Sequence, residues 1–458
     1  MSEGDLTTLQ FIIEWLREVI TVWNLTAVAV VLFFLGTPVV LVLAAWVIAS
    51  SYFIVEFPLT NVGIAANDSI KSFVFLAVPL FVITGDFLTE GGISRKLIAF
   101  SRSCVGFMHG ATAATAMFSC GLFSAISGSN AATAATMGRL LGPEMIQRGV
   151  NPGLAGAIVA AGGTVGVIIP PSVIFLIYGI TMDVPSVDLF IGGMIPGLLM
   201  VTALIGSAVV LTGKVERGVG IRNLKPREIA KNGAKAWAGF FAIFVIFLGI
   251  YWGYFSPTEA AGVVAIYCFI VGTVPFIGGQ LKLSQVPGIL LQSARLAGLL
   301  VPLVVFSIQF QQVSSVMGLP DAIQAFLGEL GENYGPTVLI AVMMLLILAV
   351  GAITESVAVV LILGPILAPV ADSLGIDPIH WGVIFVVGTT IGFITPPYGL
   401  NLFVVSGVLG INYDLIIRQI FKLLIPLMIV WVIVTSTPWM SLFPVSYTHL
   451  RAHETGYN

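Results

Sequence analysis

Residues 121–179 read GLFSAISGSNAATAATMGRLLGPEMIQRGVNPGLAGAIVAAGGTVGVIIPPSVIFLIYG. The stretch is apolar enough for a bilayer, yet it is interrupted twice, at Ser127-Gly128-Ser129-Asn130 and along Gly162-Gly163-Thr164 to Pro170-Pro171. Glycine permits tight turns, and consecutive prolines remove main-chain donors and stop a helix. Main chain freed in hydrocarbon must find partners, so such breaks persist only where protein or a water-filled cavity covers them. The spacing therefore predicts a re-entrant helical hairpin over 104–145 with its polar tip at membrane depth, followed by a broken helix over 153–182.

The same pattern returns later in the chain. Residues 138–171 align with 364–397 without a gap at an offset of 226. Gly138 pairs with Gly364, Pro143 with Pro369, Gly149 with Gly375 and Pro152 with Pro378. Further on, Gly162 pairs with Gly388, Thr164 with Thr390, Gly166 with Gly392, and Pro170-Pro171 with Pro396-Pro397. Apolar letters coincide by chance in membrane proteins, whereas Gly and Pro at fixed positions mark turns and breaks. A second hairpin is thus expected over 336–370, with its tip at Thr354-Glu355-Ser356, and a second broken helix over 379–408.

Composition sets the frame around these units. Of 458 residues, 58% are hydrophobic and 9% charged, and the mean hydropathy is +1.06. These values exclude a soluble globular domain, and there is no basic patch of the kind nucleic acid requires. A helix needs ~20 apolar residues to cross a bilayer. Crossings are expected near 26–54, 68–88, 153–182, 187–212, 236–254, 257–277, 286–313, 379–408 and 415–442. The chain then divides into a first repeat (26–212), a basic loop and connector span (213–254) and a second repeat (255–445). Each repeat holds four crossings and one hairpin, and the extra connector span inverts the second repeat. The fold class is an all-α polytopic membrane protein with two inverted-topology repeats.

Charge gives orientation. Lys214 to Lys235 carries seven Lys/Arg against two acids, which places that loop in the cytoplasm. Arg95, Lys96, Arg102 and Arg148 fall on the same side, and the N-terminus with them. Residues 296–417 contain no Lys or Arg, so the second hairpin opens from the periplasmic side.

The termini differ from the body. Residues 1–25 lack a signal-peptide pattern and place Leu9, Ile12, Ile13, Leu16, Val19 and Ile20 at helical spacing, as in an amphipathic interfacial helix. Residues 446–458 turn abruptly polar and read as a tail foreign to the fold. Cys104, Cys120 and Cys268 are isolated in apolar segments and read as packing residues. His109 and His380 have no carboxylate spaced to orient them.

Broken helices in paired repeats point to a binding site near the midplane. Unwound carbonyls with Ser and Thr hydroxyls offer neutral oxygens to a hard monovalent cation, and half-helix N-termini offer positive dipole ends to an anion. The plainer reading makes SGSN and TES helix caps and the proline pairs kinks; the recurrence of both features favours a site. Glu355 is an ionisable group in a membrane segment and so a functional candidate, or an N-cap carboxylate. Asp86 lies near the end of its span, where solvation explains it equally well. Ser256-Pro257-Thr258-Glu259 is a capping box opening a helix.

The segment quoted first, together with SPTEAAGVVAIY (256–267), FLAVPLFVITGDFLTEGGI (75–93) and GTTIGFITPPYGLNLFVVSG (388–407), resembles the large membrane subunit of tripartite ATP-independent periplasmic (TRAP) transporters from about Leu32 to Phe443. The resemblance implies an elevator-type, sodium-coupled importer of a small organic acid in a bacterial inner membrane. Two hairpins and two broken helices would form the moving part. The implied partners are a small four-helix membrane subunit, expected as a separate chain, and a periplasmic solute-binding protein.

Carried over by position, the first sodium region would involve Ser127, Ser129, Asn130, Gly163, Thr164 and Gly166. The second would involve Thr354, Ser356, Thr389, Thr390 and Gly392. Substrate would lie near Pro170, Pro171, Ser172, Glu355, Pro396, Pro397, Tyr398 and Asn401. This chain departs from the family pattern at Asn130, where a small apolar residue usually follows Ser-Gly-Ser, and at Asp86, where Glu is commoner.

Three other readings stay open on the residues alone. A stand-alone sodium/anion symporter shares the hairpin plan and needs no binding protein. An intramembrane enzyme would need a motif such as HExxH or GxSxG, which this sequence lacks. A channel would need a continuous aqueous path.

Overall fold

The computed structural model describes residues 21–58, 60, 61, 63, 64, 67, 76–216 and 225–446. Every regular element among them is helical. The expected interfacial helix, up to residue 20, and the polar tail from residue 447 lie outside the described residues, as do Arg217 and Arg222 of the basic loop.

The chain opens with α1 (Val22–Phe34) and α2 (Val39–Phe53), where the sequence predicts one span over 26–54. The overlooked signal is Gly36-Thr37-Pro38. Gly36 takes a φ of 86°, and Thr37 N donates back to Leu32 O at 3.1 Å. This is the glycine closure that ends a helix, and Pro38 prevents its resumption.

Next come α3 (Ala77–Glu90) and α4 (Ile93–Val105). α4 was not expected; it buries Ile93, Leu97, Ile98 and Ser101 and leaves Arg95, Lys96 and Arg102 for the polar side. Its presence corrects the first hairpin, which starts at Ala111 rather than 104. The arms are α5 (Ala111–Ser127) and α6 (Asn130–Gln147). The broken helix follows as α7 (Pro152–Thr164), a single 3-10 turn over Val165–Val167, and α8 (Val173–Met182).

After α9 (Ser186–Thr212), the basic segment contains α10 (Pro226–Lys235), which buries no residue. It meets α11 (Trp237–Tyr251) at a bend of 71°. α12 (Pro257–Thr273) begins with the expected capping box, in which the Ser256 hydroxyl and Glu259 carboxylate each accept from the other's main-chain N–H. α13 (Val286–Val316) and α14 (Leu319–Tyr334) lead to the second hairpin, α15 (Pro336–Gly351) and α16 (Ser356–Ser373). Then come α17 (Pro378–Gly392), α18 (Leu400–Leu409) and α19 (Tyr413–Ser436).

The offset of 226 holds in the helix boundaries as well as in the letters. Shifted by that amount, Asn130–Gln147 becomes Ser356–Ser373 end for end. α7 falls on α17, α8 on α18 within one residue, and α9 on α19. The relation extends to α4 and α14, a pair that the Gly/Pro matches do not reach.

Among the described residues three helices, Ser186–Thr212, Ser356–Ser373 and Tyr413–Ser436, are individually long and apolar enough to cross a bilayer. Many of the other apolar helices, such as α5, α7 and α15, have 10–17 residues, because breaks divide the long apolar runs; α13 is longer, at 31 residues. The buried core is continuous across both halves. Trp431 of α19 is fully buried, with Nε1 donating to Ile384 O at 2.8 Å. Nearby, Phe385 meets Trp381 edge to face and Tyr178 at a tilt of 45°.

Candidate functional site

At the first tip, Gly128 closes α5 in the left-handed region with φ 61°. Ser129 then caps α6, its hydroxyl accepting from Ala132 N at 3.4 Å. The tip lies directly on the first helix break. Val173 N donates to Gly128 O at 3.4 Å, and a Cβ on Gly128 would stand 2.7 Å from Pro171 O. A Cβ on Gly166 would stand 2.6 Å from Ser129 O. Glycine is required because main chain meets main chain at both positions. Ser172 restarts the helix as the cap of α8, accepting from Phe175 N at 3.1 Å.

The second tip repeats this plan with different letters. A Cβ on Gly392 would stand 2.7 Å from the Gly351 Cα. Tyr398 N donates to Ala352 O at 3.2 Å. Thr164 and Thr390 are partners at the offset of 226, and their hydroxyls bond back to Ala161 O at 2.6 Å and Val387 O at 2.9 Å. Thr389 does the same to Val386 O at 2.8 Å, and Thr354 to Val350 O at 3.0 Å. The peptide bonds Pro170–Pro171 and Pro396–Pro397 are both cis.

Between the tips lies a cavity of about 750 Å³, a volume suited to a small organic molecule. Gly128, Ser129, Asn130 and Ala131 line one wall, and Ile353 through Val357 line the opposite one. Val173, Ile174 and Leu400 contribute the restarted halves of the broken helices. The first residues of α6, α8, α16 and α18 thus all border the space, so four positive helix ends converge on it. Glu355 is the one carboxylate among the described lining residues, which include no Lys, Arg or His. It occupies the cap position of α16 without making a capping bond.

Several polar atoms around the tips are buried with no partner among the described residues. They include Ser127 Oγ, both amide atoms of Asn130, Thr133 Oγ1, Ser356 Oγ and Asn401 Oδ1. An unpaired buried polar group costs about 1–3 kcal/mol, so this concentration marks a place shaped for something other than packing.

Part of the expected first ion region is brought together. Ser129 and Asn130 meet Gly166, and Asn130 O lies 3.1 Å from a Cβ placed on Gly163, whereas Ser127 sits against Gly85 of α3, whose added Cβ would stand 3.2 Å from Ser127 Oγ. Thr164 stands in the same helix with its hydroxyl turned to its own main chain. In the second region, Thr389 and Gly392 meet Gly351, just before the tip that holds Thr354 and Ser356. Of the substrate candidates, Glu355 and Tyr398 line the cavity, whereas Pro170, Pro171, Ser172, Pro396, Pro397 and Asn401 do not. Pro397 O and Tyr398 O both accept from the Tyr413 hydroxyl. Asn401 is fully buried, and its Nδ2 donates to Ala160 O at 3.2 Å.

Sequence reading missed the cavity's third wall, which comes from Phe33, Gly36, Thr37, Pro38 and Val39 with Val78 and Val82. The Gly-Thr-Pro break was the available signal. It also missed an ion cluster at the open end of the first hairpin. Glu216, 9% exposed, accepts from Thr112 N at 2.9 Å, Thr112 Oγ1 at 2.8 Å and Arg148 Nη1 at 2.7 Å. Arg148 and Arg102 both pair with Glu144. Asp86 keeps one carboxylate oxygen buried without a hydrogen-bond partner, which a freely solvated position would not produce.

The chain is 36% identical over 382 residues to the C4-dicarboxylate TRAP transporter large permease protein DctM of Pseudomonas aeruginosa, covering 83% of this chain and 88% of that protein. It is 34% identical to the sialic acid TRAP transporter large permease protein SiaM of Vibrio cholerae, covering 84% and 89%. It is 35% identical to the isethionate TRAP transporter permease protein DctMQ of Oleidesulfovibrio alaskensis, covering 89% and 64%. Among solved structures, the YdaH transporter of Alcanivorax borkumensis superposes with a TM-score of 0.59 at 17% identity, covering 84% and 88%, a likeness of fold alone. The family model for the "Tripartite ATP-independent periplasmic transporter, DctM component" matches residues 26–440. With the paired tips and breaks around one cavity, these matches establish that the chain is a multi-pass membrane protein and belongs to the DctM family of TRAP transporter large permeases.

Proposed function

We propose that this chain is the transport subunit of a sodium-coupled importer of a small organic acid, working in the bacterial inner membrane by an elevator mechanism. The observation that carries the reading is the cavity bordered by both hairpin tips and by four helix N-termini. Converging helix ends stabilise an anion without a cationic side chain. Names of relatives support the substrate class: proteins similar to this chain are called permeases for C4-dicarboxylate, sialic acid and isethionate.

The coupling ion is proposed to sit at the tip–break contacts. The first region uses Ser127, Ser129, Asn130, Gly163, Thr164 and Gly166, with Asn130 contributing its main-chain oxygen. The second uses Thr354, Ser356, Thr389, Thr390 and Gly392. Hydroxyl and main-chain oxygens are the ligands a hard monovalent cation accepts. Ser127 Oγ and Ser356 Oγ, buried and unpaired, fit that need. The ion's positive charge at each tip in turn favours an anion in the cavity between them.

In this reading α5–α8 and α15–α18 form the moving unit, and the other spans form its scaffold, with the basic loop and N-terminus in the cytoplasm. The scaffold break at Gly36-Thr37-Pro38 faces the cavity and would separate from it as the unit moves. A separate small membrane subunit and a periplasmic solute-binding protein complete the system.

The test is uptake of labelled organic acids into proteoliposomes holding this chain, its small subunit and its binding protein, with and without an inward sodium gradient. Uptake that needs both the gradient and the binding protein supports the reading. Equal uptake without the binding protein would make the chain a stand-alone symporter, and uptake indifferent to sodium would remove the coupling ion.

A further inference from the structure

We infer that Asn130 selects the transported acid by reading a hydroxyl group on it, so that the substrate is a hydroxylated carboxylate rather than an unsubstituted one. This rests on the organic-acid reading above and narrows it.

Asn130 lines the cavity and is 4% exposed. Neither Oδ1 nor Nδ2 has a hydrogen-bond partner among the described residues. Its main chain is fixed from behind, because Cβ atoms on Gly163 and Gly166 would lie 3.1 Å from Asn130 O and 3.0 Å from Asn130 Cα. The side chain is therefore held at the first position of α6 with its amide unsatisfied.

An amide offers two N–H donors and one acceptor in a single plane. A sodium ion can be ligated by Oδ1 alone; the Nδ2 donors repel it and require an oxygen acceptor. Complete satisfaction requires an acceptor and a donor side by side. A carboxylate with a hydroxyl on the neighbouring carbon presents that pair, whereas an unsubstituted chain presents carboxylate oxygens only.

The opposite wall makes a matching demand. Ser356 occupies the position of Asn130 in the second repeat, is 1% exposed and has an unpaired Oγ. Glu355 beside it is acceptor-only when ionised, so it too favours a hydroxyl donor over a second carboxylate. With no Lys, Arg or His among the described lining residues, neutral hydrogen bonds carry the discrimination.

The experiment is sodium-dependent binding to the purified full-length chain, followed by calorimetry, across two matched series. One is succinate, malate and tartrate, and the other is hexanoate and gluconate. The wild type is expected to prefer the hydroxylated members by about ten- to hundredfold. Asn130→Ala should erase that preference. Asn130→Asp, which exchanges donor for acceptor, should weaken every acid. Discrimination that survives in Asn130→Ala would overturn the inference, as would a sodium requirement that rises equally for all acids. Size-exclusion elution and helical circular dichroism of each variant separate these outcomes from misfolding. If the wild type binds no member of either series, the organic-acid reading itself fails; if it binds all members of each series equally, only the role of Asn130 fails.

Discussion

Asn401 Nδ2 donates to Ala160 O across 3.2 Å, tying the restarted half of the second broken helix to the first half of the other. Both groups are fully buried, and Asn401 Nδ2 stands 2.8 Å from a Cβ placed on Gly163. The bond therefore couples the two breaks across the boundary between the repeats. Asn401→Ala is expected to lower stability by about 1–3 kcal/mol, read by thermal unfolding in detergent. An unchanged transition would show that water replaces the amide without loss.

Gly128 and Gly375 both take left-handed main chain, with φ of 61° and 72°, but only Gly128 has a neighbour in the way. Gly375→Ala should cost the conformational penalty of about 1–2 kcal/mol and retain uptake. Gly128→Ala adds a collision with Pro171 O and should abolish uptake even where the protein is still inserted. Comparable uptake by the two variants would refute the tip–break contact.

Ser127→Ala and Ser356→Ala remove buried hydroxyls that make no hydrogen bond among the described residues. Without sodium, neither should lose thermal stability. With sodium, each should raise the concentration needed for half-maximal uptake about tenfold, the equivalent of one lost hydrogen bond or ligand. A stability loss in the absence of sodium would assign the hydroxyls to structure instead.

Glu216→Ala leaves the Thr112 N–H and hydroxyl and one arm of Arg148 without their acceptor. The expected loss is on the order of 2 kcal/mol. Lys225→Ala breaks the exposed 3.1 Å pair with Glu228 and should change stability by less than ~1 kcal/mol. Chemical denaturation of both variants checks the contrast. At the offset of 226, Thr112, Glu144, Arg148 and Glu216 correspond to Val338, Val370, Leu374 and Leu442. The charged fastening therefore belongs to the first hairpin only.

Much of the plan was legible because its determinants are local. Proline pairs and glycines act on their own main chain, so Gly128, Pro170-Pro171 and Pro396-Pro397 announce turns and breaks wherever they occur. Their repetition at a fixed interval revealed two related units, and the Ser256–Glu259 capping box placed a helix start to the residue. The helices α4 and α14 escaped notice because each is short, partly polar and joined by glycines to apolar neighbours. The break after Phe34 was hidden inside a run whose average hydropathy resembles one span.

The sequence by itself determined that the chain is a membrane protein built twice over, with polar tips and broken helices in register, since composition, periodicity and turn chemistry require no knowledge of neighbours. Tertiary structure alone decided which of those groups share a space. It joined Ser129 to Gly166, set Asn130 and Glu355 on opposite walls of one cavity, drew in Thr37 from a distant loop, and turned Asn401 toward Ala160 instead. Each of these depends on packing between segments far apart in the chain, where close main-chain approach and burial choose the partner. Neither property is written in the spacing of letters along one helix.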